Sequence, residues 1–272
     1  MQIHGKEIKT IISDLDGTLL GEKQKPQERK LDPAIFELIE KLRERGVSFY
    51  VASGRQYRNL SLLFEPIVRS HPFVCENGSM IVKNGRIIYA GYIPRGLSFE
   101  LLADMLEIPD SETIVSSEMA IYTLAERKKF IERMNRILKP EVGVVEDYHQ
   151  VKGEINKISL WWPGGIPERE EKFFHEKYDD KLQITDSGDG WLDFTMKDVN
   201  KGTALRKLAE LEGFSLEEAL CFGDSENDIT MFRECAISYS MSMSKEHVKK
   251  ETDYVCTDVI ETLRSFLSDS EN

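Results

Sequence analysis

The feature that most constrains this chain is an alternation of short apolar runs with amphipathic segments, which stops partway along and later resumes. Residues 8–13 and 47–52 read as strands, 31–46 and 57–70 as helices, and 72–78 as a strand running into a turn. In the first helix Asp32 and Pro33 mark the start, Gly46 marks the stop, and Ile35, Leu38, Ile39 and Leu42 form an apolar stripe. The polar stretch 21–30 reads as a loop before it. A β-α-β-α-β order predicts a parallel sheet with helices on both faces. The same pattern returns after Asn200: helix 201–212, strand 219–222, helix 228–235, strand 236–240 and a final helix beyond Val259.

The segment between reads differently. Two apolar runs flank Asn84-Gly85, the dipeptide a tight hairpin turn favours. A helix from about residue 97 follows, then strands 113–117 and 120–124, a charged helix 126–138 and a strand 157–162. Helix 168–178 and strands 182–186 and 191–195 complete it. The expected fold class is therefore α/β. A Rossmann-like, doubly wound parallel-sheet core over 1–82 and 199–272 carries an inserted α+β domain over 83–198. The Trp161–Trp162 pair reads as packing within that insertion, with strand alternation placing one ring inside. The charged run 125–136 reads as a solvated helix face.

A chain of 272 residues with net charge −12 repels nucleic acid and anionic lipid. A small anionic substrate is still admissible, because a bound metal and a few cations reverse the potential locally. No apolar stretch approaches the roughly 20 residues of a membrane helix. The first ten residues have no signal-peptide pattern, and the four cysteines (Cys75, Cys221, Cys235, Cys256) have no metal-binding spacing. Reduced thiols and a cytoplasmic setting are expected; the oligomeric state is open.

Four polar clusters fall where core strands end, the ligand-binding edge of a doubly wound sheet. Asp14-Leu15-Asp16-Gly17-Thr18 holds two carboxylates that an extended backbone aims the same way. Such a pair fits a cation between them, and Mg2+ suits an all-oxygen site that takes a phosphate ligand; a capped turn fits about as well. Ser53-Gly54-Arg55 offers a hydroxyl, a flexible backbone and a guanidinium to an anion, though a plain turn reads similarly. In Asn200-Lys201-Gly202-Thr203 the lysine opens a helix, at the end where the dipole disfavours a cation. Gly223-Asp224-Ser225-Glu226-Asn227-Asp228 follows a buried strand and fits a metal site, with Asp228 equally placed to cap the next helix.

In order and on strand ends, these four clusters resemble the motifs of haloacid-dehalogenase-superfamily phosphatases, in particular the Cof type (subfamily IIB) with a large α/β cap between the second and third motifs. The resemblance spans nearly the whole chain, including the Glu76-Asn77-Gly78 turn and the GDSENDITMF stretch. Ser53 stands where threonine is common, and the tail after Tyr239 lacks the family's usual asparagines. The resemblance implies a Mg2+-dependent phosphatase of small phosphorylated metabolites, such as sugar or cofactor phosphates. Asp14 would be the nucleophile and form an aspartyl-phosphate; Asp16 would be the acid and base. Asp14, Asp16 (through its carbonyl), Asp224 and, less directly, Asp228 would hold Mg2+. Ser53 and Lys201 would complete the catalytic set, with Gly54, Arg55 and Asn227 on the substrate. A phosphomutase and a non-catalytic binder on the same scaffold are the alternatives. The clustered acids disfavour the binder.

Overall fold

Apolar side chains on both faces of one short strand set the architecture. In β1 (Thr10–Ser13) the fully buried Ile11 and Ile12 belong to different packed layers, as a strand covered on two sides requires. The computed structural model describes residues 1–21, 30–69, 71–118, 120–137 and 142–269. Most of the expected 21–30 loop, and the last residues of the helices expected at 57–70 and 126–138, lie outside the described residues.

From β1 the chain runs through α1 (Ala34–Glu44), β2 (Ser48–Ala52), α2 (Tyr57–Leu63) and β3 (Pro72–Cys75). The α1 amino end is satisfied by the Asp32 carboxylate, which accepts from the Ala34 N–H at 2.9 Å. The antiparallel hairpin β4 (Met80–Lys83) and β5 (Arg86–Ala90) follows, with Asn84 and Gly85 both at positive φ. After the insertion come α6 (Lys201–Glu212), β12 (Ala219–Gly223), α7 (Ile229–Phe232), β13 (Ile237–Met241), α8 (Glu246–Lys249), β14 (Tyr254–Cys256) and α9 (Val259–Asp269). The eight strands order as β14-β13-β12-β1-β2-β3-β4-β5, parallel up to β3. Helices α1, α2 and α9 pack on one face through residues such as Leu38, Leu60 and Leu263. On the other face lie α6, α7 and α8, through Leu205, Phe232 and Val248.

The inserted segment forms its own six-stranded sheet from β6 (Glu112–Ser117), β7 (Ala120–Leu124), β8 (Gly143–Val145), β9 (Ile155–Trp161), β10 (Leu182–Gly188) and β11 (Trp191–Met196). One face is covered by α3 (Arg95–Leu106) and α5 (Glu168–Tyr178), through Leu102, Met105, Phe174 and Tyr178. The other face packs α4 (Lys128–Ile137) at one end only, through Phe130 and Met134 against Ile121 and Trp161. The rest of that face looks onto the larger sheet. The charged α4 is thus an amphipathic helix with a buried stripe. Trp161 and Trp162 are both buried, each in a different layer, where only one inner ring was expected.

The boundary expected at residue 83 falls inside a hairpin. Strand β5 pairs with β4 in the larger sheet, so that sheet extends to Ala90. The chain enters and leaves the smaller sheet close together: the Val199 side chain lies where a Cβ on Gly91 would be, 2.6 Å away.

Candidate active site

The carboxyl ends of β1, β2 and β12 bring three of the four sequence clusters together, and the start of α6 brings the fourth. Asp14 follows β1, and its N–H donates to the Phe222 carbonyl of β12 at 2.9 Å, which sets the register of the two acidic segments. Lys201 projects between them, fully buried. Its Nζ donates to Asp14 Oδ1 and to Asp228 Oδ1, each at 2.6 Å. Burial disfavours its charge, and the two carboxylates more than offset that, so the ammonium is held above the ordinary lysine range. Asp228 serves as hub and cap together: its Oδ2 accepts the Asp224 and Ser225 N–H groups at 2.9 and 3.0 Å.

Asp14, Asp224 and Asp228 each offer an oxygen within 4.8 Å of the others, a spacing one metal ion can bridge. Asp14 Oδ2 is buried and has no hydrogen-bond partner among the described residues. Burial, with the charges of Asp228 and Asp224 adding to it, pushes the Asp14 carboxyl well above the usual carboxylate range despite Lys201. Asp224 is pushed up to about 6, first by burial and then by Asp228. Three acids with one cation, and one orphaned oxygen, form a donor set that a divalent cation completes. Gly17, at φ +84°, makes room for the Asp224 carboxylate: a Cβ there would sit 2.3 Å from Asp224 Oδ2. Thr18 and Ser225 hydroxyls hold Asp224 at 3.3 and 2.8 Å.

Asp16 takes the Arg55 guanidinium in a two-pronged pair, both contacts 2.6 Å. Arg55, expected on the substrate anion, is thus engaged by the second acid of the first cluster. Ser53 Oγ accepts the Arg55 N–H at 3.1 Å and lines the same cavity as Gly54 and Asn227. Every residue named from the sequence therefore sits in or directly under one cavity of about 570 Å³ between the two sheets.

The sequence reading passed over the other wall of that cavity. Along β9 and β11, Lys157, Ser159 and Asp193 share the face that looks onto the larger sheet, as a period of two requires. Ser159 Oγ donates to Asp193 Oδ1 at 2.5 Å, and Lys157 Nζ lies 2.5 Å from Glu76 and 3.4 Å from Asp193. Asn77 bridges the sheets: its Nδ2 donates to Asp193 at 2.9 Å and its Oδ1 accepts from Asn227 at 3.0 Å. Glu76, Asn77 and Gly78 have φ of 52°, 57° and 96°, a left-handed run that costs about 1–3 kcal/mol for each non-glycine residue. A Cβ on Gly78 would lie 2.2 Å from the Asn200 carbonyl, so the turn is pressed against the start of α6. Alternating polar residues in otherwise apolar strands were the available signal for this wall, and they read equally well as a solvent face.

A doubly wound sheet with paired acids on its central strand, a buried lysine across from them and a second sheet as roof defines the haloacid dehalogenase-like hydrolases. That family's model matches residues 11–261, and the chain belongs to the family. Within it, the chain is a phosphoric monoester hydrolase of the Cof type. It is 28% identical over 247 residues to the 5-amino-6-(5-phospho-D-ribitylamino)uracil phosphatase YbjI of Escherichia coli, covering 91% of this chain and 90% of that protein. It is 26% identical over 253 residues to a phosphoglycolate phosphatase of Methanobrevibacter smithii, 92% of each chain being covered. Among solved structures, SMU.1108c of Streptococcus mutans superposes with a TM-score of 0.83 at 24% identity, over 96% of this chain and all of that one (100%). The subclass IIB sugar phosphatase BT4131 superposes with a TM-score of 0.78 at 23% identity, over 95% and 98% of the two chains. No helix among the described residues is long and apolar enough to cross a membrane.

Proposed function

We propose that the protein is a Mg2+-dependent phosphatase that hydrolyses phosphate monoesters of small metabolites, sugar or cofactor phosphates, through an aspartyl-phosphate on Asp14. The observation that carries this is the orphaned, buried Asp14 Oδ2 beside Asp224 and Asp228. Asp14, Asp224, Asp228 and the Asp16 carbonyl would hold the ion. Bound there, Mg2+ would neutralise charge on the acids and on the transferring phosphoryl group.

The residues then have distinct tasks. Lys201, Ser53 and Asn227 hold the phosphoryl oxygens, and Lys201 also orients Asp14 through its 2.6 Å contact. The Asp14 carboxylate attacks phosphorus while the ester P–O bond breaks, and Asp16 gives its proton to the departing alcohol oxygen. Asp16 then takes a proton from water as that water's oxygen bonds to phosphorus and the bond to Asp14 breaks. Inorganic phosphate leaves and both aspartates are restored. Arg55 holds Asp16 in place through its two 2.6 Å contacts. Residues 91–198 act as the lid over the cavity and select the alcohol. A ribityl phosphate is one candidate substrate, a reading supported by the relatives in E. coli and Bacillus subtilis that are named for 5-amino-6-(5-phospho-D-ribitylamino)uracil. Four free cysteines fit a cytoplasmic setting.

The test is phosphate release from a panel of metabolite phosphates. EDTA should abolish turnover, Mg2+ should restore it, and Asp14→Asn should remove it with the melting transition intact. Metal-independent turnover, or an active Asp14→Asn protein, refutes the assignment.

A further inference from the structure

We infer that the alcohol released by this enzyme carries no second anionic group: it is an uncharged, hydroxyl-bearing molecule with an apolar or planar end. This rests on the phosphatase reading above and narrows it. Among the described residues three cations line the cavity, and each is paired with an acid. Arg55 holds Asp16 with two contacts of 2.6 Å, Lys157 lies 2.5 Å from Glu76, and Lys245 lies 3.1 Å from Glu226. Lys201 sits beneath Asp14 between two carboxylates. A second phosphate or carboxylate on the substrate that took Lys157 or Arg55 would leave a buried or half-buried acid uncompensated, which is costly. Lys245, by contrast, stands at the exposed rim, shares Glu226 with His247 and offers only a screened surface charge.

What the roof offers instead is Ile114, Ile121 and the half-buried Trp191, with the Ser116 hydroxyl beside them and the carboxylates of Asp186 and Asp189 at the rim. Aliphatic and indole surface suits an apolar or flat group. Carboxylates accept hydrogens from hydroxyls and repel anions. Deeper in the same cavity Gln56 Oε1 is buried with no hydrogen-bond partner among the described residues, an acceptor that asks the ligand for a donor. Anionic character in the substrate is therefore wanted at one end only, where Lys201 and the acid cluster stand.

The experiment compares 4-(hydroxymethyl)phenyl phosphate with 4-carboxyphenyl phosphate on the full-length, Mg2+-loaded protein. The two share shape and leaving-group acidity and differ in one distal charge. The neutral ester should have at least a tenfold higher kcat/KM, carried mostly by KM, and Asp186→Asn/Asp189→Asn should narrow the gap at least threefold. Equal rates, or preference for the carboxylate, with p-nitrophenyl phosphate still hydrolysed, overturns the inference alone. Absence of Mg2+-dependent turnover of all three esters overturns the phosphatase reading and this inference with it.

Discussion

Replacing Lys157 with methionine tests how the two sheets are held over one another. The lysine rises from β9 of the smaller sheet and lies 2.5 Å from Glu76, which follows β3 of the larger one, and 3.4 Å from Asp193 on β11. The side chains are 10%, 1% and 6% exposed, so this is a buried triad with little solvent screening. Removing one partner of a buried ion pair costs about 3–5 kcal/mol, against about 0–1 kcal/mol for a surface pair. Methionine keeps most of the stem's volume, so the loss is electrostatic. At about 2–4 °C per kcal/mol, the melting temperature should fall by roughly 6–20 °C at pH 7. Glu76→Gln in the Lys157→Met background should recover part of that, with a coupling of at least about 1.5 kcal/mol in the double-mutant cycle. Burial opposes the Lys157 charge, but Asp193 and Glu76 hold its pKa above the ordinary value. Its contribution is therefore fully present below the unfolded value of about 10.4 and is lost as pH rises beyond it. The gap between wild type and variant should accordingly close in alkali. Urea melts with unchanged m-values are the assay. A loss below about 1 kcal/mol, or no coupling, would show that the triad does not tie the sheets.

On the proposed assignment, in which Asp16 would meet Mg2+ only through its carbonyl, Asp16→Asn should keep Mg2+ affinity yet lose about 10²–10⁴ in turnover of an alkyl phosphate. With an aryl phosphate, phosphoenzyme should accumulate in a quench experiment. Gly17→Ala meets both a φ of +84° and a 2.3 Å clash with Asp224, so Mg2+ affinity measured by thermal-shift titration should drop at least tenfold. Asp224, raised to about 6 chiefly by burial, favours the fold when protonated. That contribution is complete below the unfolded carboxyl value and is lost as pH rises through 6. Metal-free protein should thus gain stability from this group between pH 7 and 5, while the thermal protection given by Mg2+ shrinks over the same range. A pH-independent Mg2+ effect would count against a direct role for Asp224.

The larger sheet was legible because its strands are short, apolar on both faces and closed by polar residues that do chemistry. Asp14, Ser53 and Asp224 stand at those closures, with Lys201 at the start of a helix beside them, and a parallel sheet lines up such ends by construction. The roof was not legible for the opposite reason. Lys157 and Asp193 sit inside strands, where alternation says only that a side chain leaves the core layer and not what it meets. Glu76 and Asn77 were visible as a turn, but their left-handed backbone follows from contacts with residues more than 70 positions away, such as Asn156 near the turn's Ser79 (77 apart) and Asp193 (116 apart). Strand β8 escaped because three residues against a helix end carry too short a pattern to stand out. Arg55 lines the cavity, and its pairing with Asp16 depends on a 2.6 Å juxtaposition that spacing alone does not encode.

The order of strands in the larger sheet also has a consequence for how the chain is made. Strand β1, which leads into Asp14, lies between β2 and β12, yet β12 (Ala219–Gly223) is synthesised about 200 residues after β1. At roughly 5–20 residues per second, one side of β1 stays without its neighbour for about 10–40 s. During that interval the entire smaller sheet emerges and has time to form, since it needs nothing from β12. The backbone edge of Thr10–Ser13 is meanwhile a template for strand addition by any neighbouring chain. Ribosome-bound intermediates stalled between Met196 and Ala219 are therefore the ones in which chaperone capture of this protein should be greatest.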